Sequence, residues 1–570
     1  MAQGPDYDLE LSQAKSDADT EDTLIGDGGD QTPSASRQPE KPTLYPTKQS
    51  KSYLHGLRGL AALLVYLAHN ISWWYGPAGP IEDGFGYHGR YMIATFPFIR
   101  TLFTGGAAAV SVFFVLSGYV LSLSTLQTMR VNDEHGGRQR DIWRGLISAI
   151  IRRPFRLYIP LIGVSLSFAI LMHMPLIAPY LIWPKAEPSL LAELWRWAKE
   201  IASTMNPFRK YGGAAAWFPY NPPAWTMSGE FKGSLVVFIL LGVYSHAPPR
   251  YRFSLFAVTG AICLYFIGDW VVACFMWGVC LAMLDMRKTT SPPQSQHSLT
   301  RRFLRHSNSS SILHSASVHQ QAKTAFFTFL FFLSWYLICQ PTSLNPERLA
   351  STPGYHYFTY HLIPYKYLRG ENWRFWNTIS ATAMVYSISH LSLPQRLLSM
   401  PTMQFLGKIS FTLYLVHMPI LWTVGDRIMR MLGVQRGDFV TWWDDLLKIP
   451  DIGPKGFSSG WIISQMLVYP ISASLALVLY KLFDEPSTKI GKHVASRAMP
   501  WLAKREDKII RALNNFVASV TPAAFLAARR SWIGGGGSGG SGGNAAEISS
   551  SSASAYPSLG DVERQQGKIQ

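Results

Sequence analysis

Arg58 and His69 stand eleven residues apart in an apolar run, His55-Gly-Leu-Arg58-Gly-Leu-Ala-Ala-Leu-Leu-Val-Tyr-Leu-Ala-His69. At about 100° per residue this spacing completes three helical turns with roughly 20° over, so both side chains share a face, about 16 Å apart along it. An ionisable residue within a membrane is costly and by default a functional candidate. A cation near the membrane surface and a titratable imidazole deeper in form a layout for holding an anionic substrate and moving a proton. Taken singly, each has a plainer reading. His69 fits an interfacial histidine bonded to headgroups or backbone, and Arg58 fits an arginine snorkelling to the surface.

Five further motifs carry chemistry. Phe113-Phe114-Val115-Leu116-Ser117-Gly118-Tyr119-Val120-Leu121 follows the small-residue run Gly105-Gly106-Ala107-Ala108-Ala109. Small residues let helices approach closely in a bilayer. Helix packing is therefore one reading, and a ligand cavity bordered by Ser117 and Gly118 the other. In Arg152-Arg153-Pro154-Phe155-Arg156, three cations anchor orientation at a membrane boundary. Arg153 and Arg156 also face the same way across a helix-starting proline, and paired guanidinium forks suit phosphate. Glu230, in Trp225-Thr226-Met227-Ser228-Gly229-Glu230, lies inside an apolar span and needs a partner or a proton. His69, Lys232 or an arginine could serve. His417 closes Leu406-Gly407-Lys408-Ile409-Ser410-Phe411-Thr412-Leu413-Tyr414-Leu415-Val416-His417, and Asp484-Glu485-Pro486 ends the last apolar run.

The elements that must position these residues are membrane helices. Only 15% of the 570 residues are charged and 48% are hydrophobic, whereas soluble domains average about 25% charged. Apolar stretches of spanning length lie near 54–74, 101–123, 157–175, 225–244, 253–268, 270–285, 324–340, 375–393, 403–424 and 461–483. The fold class is all-α, a polytopic helical bundle of about ten spans. Runs five and six are short and nearly continuous, a tight hairpin or one long broken helix. Residues 188–204 read as an amphipathic helix with a serine N-cap, too polar to span and expected in the outer interface.

Charge sets the orientation and excludes some partners. Residues 1–50 hold ten acids against four Lys/Arg, a net of −6, so the remainder of a chain of net charge +17 carries +23. That excess lies in loops beside apolar runs, not in one basic domain, so nucleic acid is not an expected partner. Segment 124–156 has seven arginines against three acids, and 286–323 has six Lys/Arg and no acid. Both fall on the side of the two termini, which the positive-inside rule assigns to the cytoplasm, N-in and C-in. Three parts follow: an acidic disordered tail (1–50), a transmembrane domain (51–490) with a mobile cytoplasmic loop (286–323), and a largely disordered tail (491–570) with a Gly/Ser-rich linker. The first apolar run is expected to act as its own insertion signal. All four cysteines fall within expected spans and no CxxC pair occurs, so neither a disulfide framework nor a metal site is expected. A multi-pass plasma-membrane or endomembrane (ER or Golgi) protein is implied, its oligomeric state open.

In this order the motifs resemble the acyltransferase-3 family of integral membrane acyltransferases, over about 52–490. The family's arginine–ten residues–histidine element matches Arg58 and His69. Its Ser-Gly-x-x-Leu matches Ser117-Gly118-Tyr119-Val120-Leu121, and its Arg-x-x-Arg matches Arg153 and Arg156. Its Trp-Thr-x-Ser-x-Glu matches 225–230, its Gly-Lys-Ile-Ser…Tyr-Leu-x-His matches 407–417, and its Glu-Pro matches Glu485-Pro486. One departure is visible: the family usually opens Asp-Gly-x-Arg, and here His55 replaces the acid. The resemblance implies transfer of an acyl group, commonly acetyl, from acyl-CoA to a hydroxyl of a carbohydrate, lipid or secondary metabolite. Acyl-CoA (acetyl-CoA) would be the donor substrate, with no tightly bound cofactor. His69 would be the base, oriented by Glu230, with an acyl-histidine as the alternative. Arg58, Arg153 and Arg156 would meet the donor's phosphates, and Ser117, Gly118 and Tyr119 would line the acyl path. A proton-coupled permease or other multi-span transporter is the competing class; it too explains buried His, Glu and Arg, although no repeated halves are seen.

Overall fold

The computed structural model describes residues 51–76, 80–174, 179, 185–209, 217–288, 309–342, 351–368, 371–434, 440–503, 508, 511 and 515. The acidic segment 1–50 and the Gly/Ser-rich tail lie outside the described residues, among which every regular element is helical. The principal helices are α1 (Ser52–Tyr75), α2 (Gly106–His135), α3 (Gln139–Leu171), α4 (Leu190–Thr204), α5 (Trp225–Tyr244) and α6 (Pro249–Ile262). They continue with α7 (Trp270–Lys288), α8 (Ser309–Ile338), α9 (Trp373–Ile388), α10 (Pro401–Ile420), α11 (Ser459–Leu479) and α12 (Glu485–Ala503).

Among the described residues eight helices are long and apolar enough to cross a membrane: α2, α3, α5, α6, α7, α8, α10 and α11. The protein is a multi-pass membrane protein. The other two expected spans are α1 and α9. In α1 Arg58, two histidines and Asn70 dilute the apolar face, and α9 has only 16 residues. Both are packed among other helices, α1 against α10 and α2, α9 against α8 and α2. A helix surrounded by protein need not be apolar all round.

Glycines decide how closely the central helices approach. A Cβ at Gly59 would stand 2.4 Å from the Gly407 nitrogen, and one at Gly407 would stand 2.4 Å from the His55 carbonyl oxygen. Helices α1 and α10 therefore cross backbone to backbone, as small residues allow where lipid supplies no hydrophobic drive. A second crossing joins α2 to α7, where Cβ atoms on Gly118 and Gly278 would meet the carbonyls of Phe275 and Val115 at 2.1 and 2.2 Å.

Runs five and six form the tight hairpin. Pro249 opens α6, Gly268 with φ 83° ends its last turn, and Asp269 Oδ1 accepts from the Val272 amide at 3.1 Å to start α7. The amphipathic helix is α4, its N-cap Ser189 accepting from the Ala192 amide at 3.3 Å.

Two expectations are corrected. Residues 309–323 are helical and belong to α8, because that stretch contains no glycine or proline to stop the helix. Residues 491–503 lie in α12. Glu485-Pro486 ends the last apolar run without ending the helix: α11 passes through a π-helical turn, Tyr480–Asp484, directly into α12. Proline lacks the amide hydrogen an α-helix would use there, and a π-turn re-registers the ladder around it.

Candidate active site

Helices α1, α2, α3, α5 and α10 surround a cavity of about 120 Å³. Its polar lining includes Arg58, Ser117, Arg153, Arg156, Glu230, Thr226 and Ser410. Phe113, Phe114, Val120, Leu157, Met227 and Tyr414 supply much of the remaining wall. Five candidate residues from four separate motifs thus converge on one space.

The arginines are not equivalent. Arg153 is buried and committed: its Nη2 donates to Glu230 Oε1 and its Nε to Ser234 Oγ at 2.9 Å. Ser117 Oγ donates to the same Glu230 oxygen at 2.6 Å. Glu230 is thereby matched charge for charge, as a buried carboxylate requires. Among the described residues neither Arg58 nor Arg156 forms an ion pair, although Arg58 lies within electrostatic reach of Arg156, Glu230, Asp484 and Arg153. Arg156 is exposed and Arg58 half-buried. The cavity therefore carries a cationic excess at an apolar wall, which suits an anionic group joined to an apolar one.

Beyond Tyr414 lie two histidines. The Tyr414 hydroxyl donates to the Pro223 carbonyl at 2.8 Å, and its oxygen lies 2.8 Å from Thr226 Oγ1. The Tyr414 ring sits 6.0 Å from that of Phe113 and 5.9 Å from that of His417, centroid to centroid. His417 Nε2 lies 3.3 Å from His69 Nδ1. His69 Nδ1 also meets the Val65 carbonyl at 2.9 Å, and His417 Nδ1 meets the Leu413 carbonyl at 3.2 Å. Carbonyl oxygens only accept, so both Nδ1 atoms carry the hydrogen and both Nε2 atoms carry the lone pair. His69 Nε2 thus retains the lone pair that proton abstraction needs.

The segment joining these parts is held from outside the bundle. Asn221 Nδ2 donates to the Leu415 carbonyl at 2.6 Å, fixing the turn before α5 onto α10. Tyr220 donates to Glu193 Oε1 at 2.5 Å, and Arg196 Nη2 reaches the same carboxylate at 2.6 Å, tying that turn to α4. Burial pushes the Glu193 carboxyl up, but the bonds from Tyr220, the Glu187 amide and Arg196 hold it below the usual carboxylate range.

Several roles anticipated from the motifs do not fit this geometry. Glu230 bonds Ser117 and Arg153 and does not orient His69, whose imidazole partner is His417. Gly118 lies off the cavity, at the α2–α7 crossing. Tyr119 also lies off the acyl path: two positions beyond Ser117 a helical side chain points to the far face. There its hydroxyl donates to Asp285 at 2.7 Å, beside Lys51 Nζ at 3.0 Å from the same carboxylate oxygen. Lys232 pairs with Asp269 at 2.6 Å. Ser234 had no motif to mark it, although it follows Glu230 by one helical turn. Tyr414 and Thr226 stood within quoted motifs with no role assigned. Among the described residues no three His, Cys, Asp or Glu side chains cluster as metal ligands.

A family model, Acyl_transf_3, described as an acyltransferase domain, matches residues 51–450. The chain is 27% identical over 408 residues to O-acetyltransferase PaAT-1 of Phomopsis amygdali, covering 67% of this chain and 74% of that protein. It is 21% identical over 437 residues to acyltransferase clz18 of Cochliobolus lunatus, covering 69% and 87%. It is 22% identical over 489 residues to acyltransferase R4 of a Phoma species, covering 77% and 94%. No solved structure matches the chain.

Proposed function

The chain belongs to the acyltransferase-3 family and is a membrane enzyme that transfers acyl groups, and on that premise we propose that it moves an acetyl group from acetyl-CoA to a hydroxyl, with His69 as general base. Family membership decides for an enzyme over a transporter. The observation that carries the donor reading is the unpaired Arg58 and Arg156 on an apolar cavity, with Arg58 on the same helix as His69. Guanidinium forks hold phosphate oxygens bidentately, and the apolar wall accepts the thioester arm. A cavity of about 120 Å³ favours a short acyl group. The acceptor is a hydroxylated small molecule, lipid or glycan, in line with the Phomopsis relative, an O-acetyltransferase.

An alcohol is a poor nucleophile until its proton leaves. His69 Nε2 takes that proton as the alcohol oxygen attacks the thioester carbonyl, a step that contributes about 10²–10⁴ in rate. The new C–O bond forms and the C–S bond breaks. The departing thiolate recovers the proton from the imidazolium, returning His69 to its starting tautomer. The Arg153–Glu230–Ser117 unit is a charge-neutral framework for the cavity wall. The Arg-rich loops and both termini face the cytoplasm, so the donor enters at Arg156 and the acceptor meets His69 from the other side.

The test uses membranes from cells expressing the full chain, supplied with radiolabelled acetyl-CoA, and follows label into base-labile esters in an organic extract. His69→Ala should lower incorporation by about 10² or more with unchanged expression. Near-normal incorporation would overturn the base assignment, and absence of donor-dependent label from wild-type membranes would overturn the donor.

A further inference from the structure

We propose that His417 is a positioning residue for His69, its Nε2 accepting the hydrogen of His69 Nδ1 in the place that a carboxylate occupies in a Ser-His-Asp triad. The inference rests on His69 being the base. Four observations support it. His417 Nε2 lies 3.3 Å from His69 Nδ1. The Leu413 carbonyl, 3.2 Å from His417 Nδ1, obliges that nitrogen to carry the ring hydrogen and leaves Nε2 as acceptor. His417 is almost fully buried, 1% exposed, so no bulk water competes for the bond. The α1–α10 crossing at Gly59 and Gly407 brings the two backbones close enough for the rings to meet, with centroids 5.0 Å apart.

The chemistry follows from the tautomers. When Nε2 of His69 receives the acceptor's proton, positive charge spreads to Nδ1–H. That hydrogen points at the Val65 carbonyl and the lone pair of His417. A bond to a charged donor is stronger than a neutral one, so the contact tightens as the imidazolium forms and loosens when the thiolate takes the proton back. A neutral imidazole achieves this without leaving a buried carboxylate uncompensated in the resting enzyme. The role also explains why histidine stands at 417, a position in no contact with the arginine cavity.

The experiment measures maximal rate and the donor KM for the full-length protein in detergent, with radiolabelled acetyl-CoA and an extract of the host membranes as acceptor. His417→Leu, which keeps bulk and loses the acceptor, should lower the maximal rate about 10–100-fold with the donor KM unchanged. His417→Gln, whose amide oxygen reaches the place of Nε2, should recover most of that loss. Should His417→Leu not fold, His417→Phe takes its part. The proposal is overturned if the acceptor-lacking variant turns over normally, if Gln and Leu are equally impaired, or if the donor KM moves while the maximal rate does not. His69→Ala in the same assay separates the two claims: turnover that survives it ends the base reading itself, whatever His417 variants do.

Discussion

Two clusters of buried charge border helix α10, and their accounts balance differently. At its far end, beyond a π-helical turn, Arg430 is fully buried, its Nε donating to Asp426 at 2.9 Å and its Nη1 to Asp444 at 3.2 Å. Asp426 also accepts from the Trp73 indole of α1 at 2.9 Å. There one cation meets two carboxylates in a closed network that ties α1, α10 and the 440–450 loop together. In the cavity beside the middle of α10, three arginines meet one carboxylate, Glu230, and only Arg153 is paired with it. A charge with a partner holds the fold, and a charge beside a cavity without one is available to a ligand. The family's Arg-x-x-Arg contains one of each kind.

Breaking the closed cluster should have the largest effect. Arg430→Met leaves two aspartates buried without their cation, and losing one partner of a buried pair costs about 3–5 kcal/mol. The upper end is expected here, read as a lost or strongly lowered melting temperature of detergent-solubilised protein. Glu230→Gln should cost less, nearer ~3 kcal/mol, because Arg153 keeps its bond to Ser234 and the cavity admits water. A melting temperature unchanged in Arg430→Met would erase the distinction between the clusters. The opposite signature is expected of Arg58→Gln and Arg156→Gln. Each should melt as wild type, yet raise the donor KM about tenfold, the effect of one lost charge-assisted bond. A drop in melting temperature with an unmoved KM would make them structural like Arg430.

How much of this was legible beforehand differed between the clusters for a physical reason. The ten apolar runs and the Ser189 cap follow from local pattern, and the structure has a helix at each; at 249–288 the pattern left a hairpin and one broken helix open, and the structure has the hairpin. The cavity was also partly legible, since Arg58, Ser117, Arg153, Arg156 and Glu230 announce themselves as polar residues in apolar surroundings. Partnerships were not. Glu230 could have paired with His69, Lys232 or an arginine, and only the crossing of α3 over α5 selects Arg153. His69 and His417 are 348 positions apart, and their contact depends on two glycines that read locally as nothing more than small residues. The closed cluster at Arg430 was not anticipated, because Asp444 lies in a loop between apolar runs, where an acid is unremarkable. Helix ends were missed where low hydropathy was mistaken for lack of helix, as at 309–323, and where a π-turn lets a proline stay in line, as at Pro486.

The smallest expected effect is local and depends on acid. Asp444 lies outside the spanning segments, accepts from the Thr441 hydroxyl and, at 3.1 Å, from the Thr441 amide, and faces Arg430. Burial pushes its carboxyl up, but those hydrogen bonds and the Arg430 charge outweigh it and hold the group below the ordinary value of 3.8. A carboxyl depressed on folding adds stability above its unfolded value and loses it as pH falls through the folded one. The 440–450 loop should therefore stay closed from neutral pH down to about 4 and loosen only below that. Protection of its amides against hydrogen exchange, relative to the free-peptide rate at each pH and including Asp445 N bonded to the Arg430 carbonyl at 3.0 Å, should be flat over that range and fall in stronger acid. Asp444→Asn should exchange faster at neutral pH and lose the acid dependence. Exchange that is already rapid at neutral pH in the wild-type chain would mean that the closed cluster does not hold this loop, and that the contrast with the open cavity lies in charge count alone.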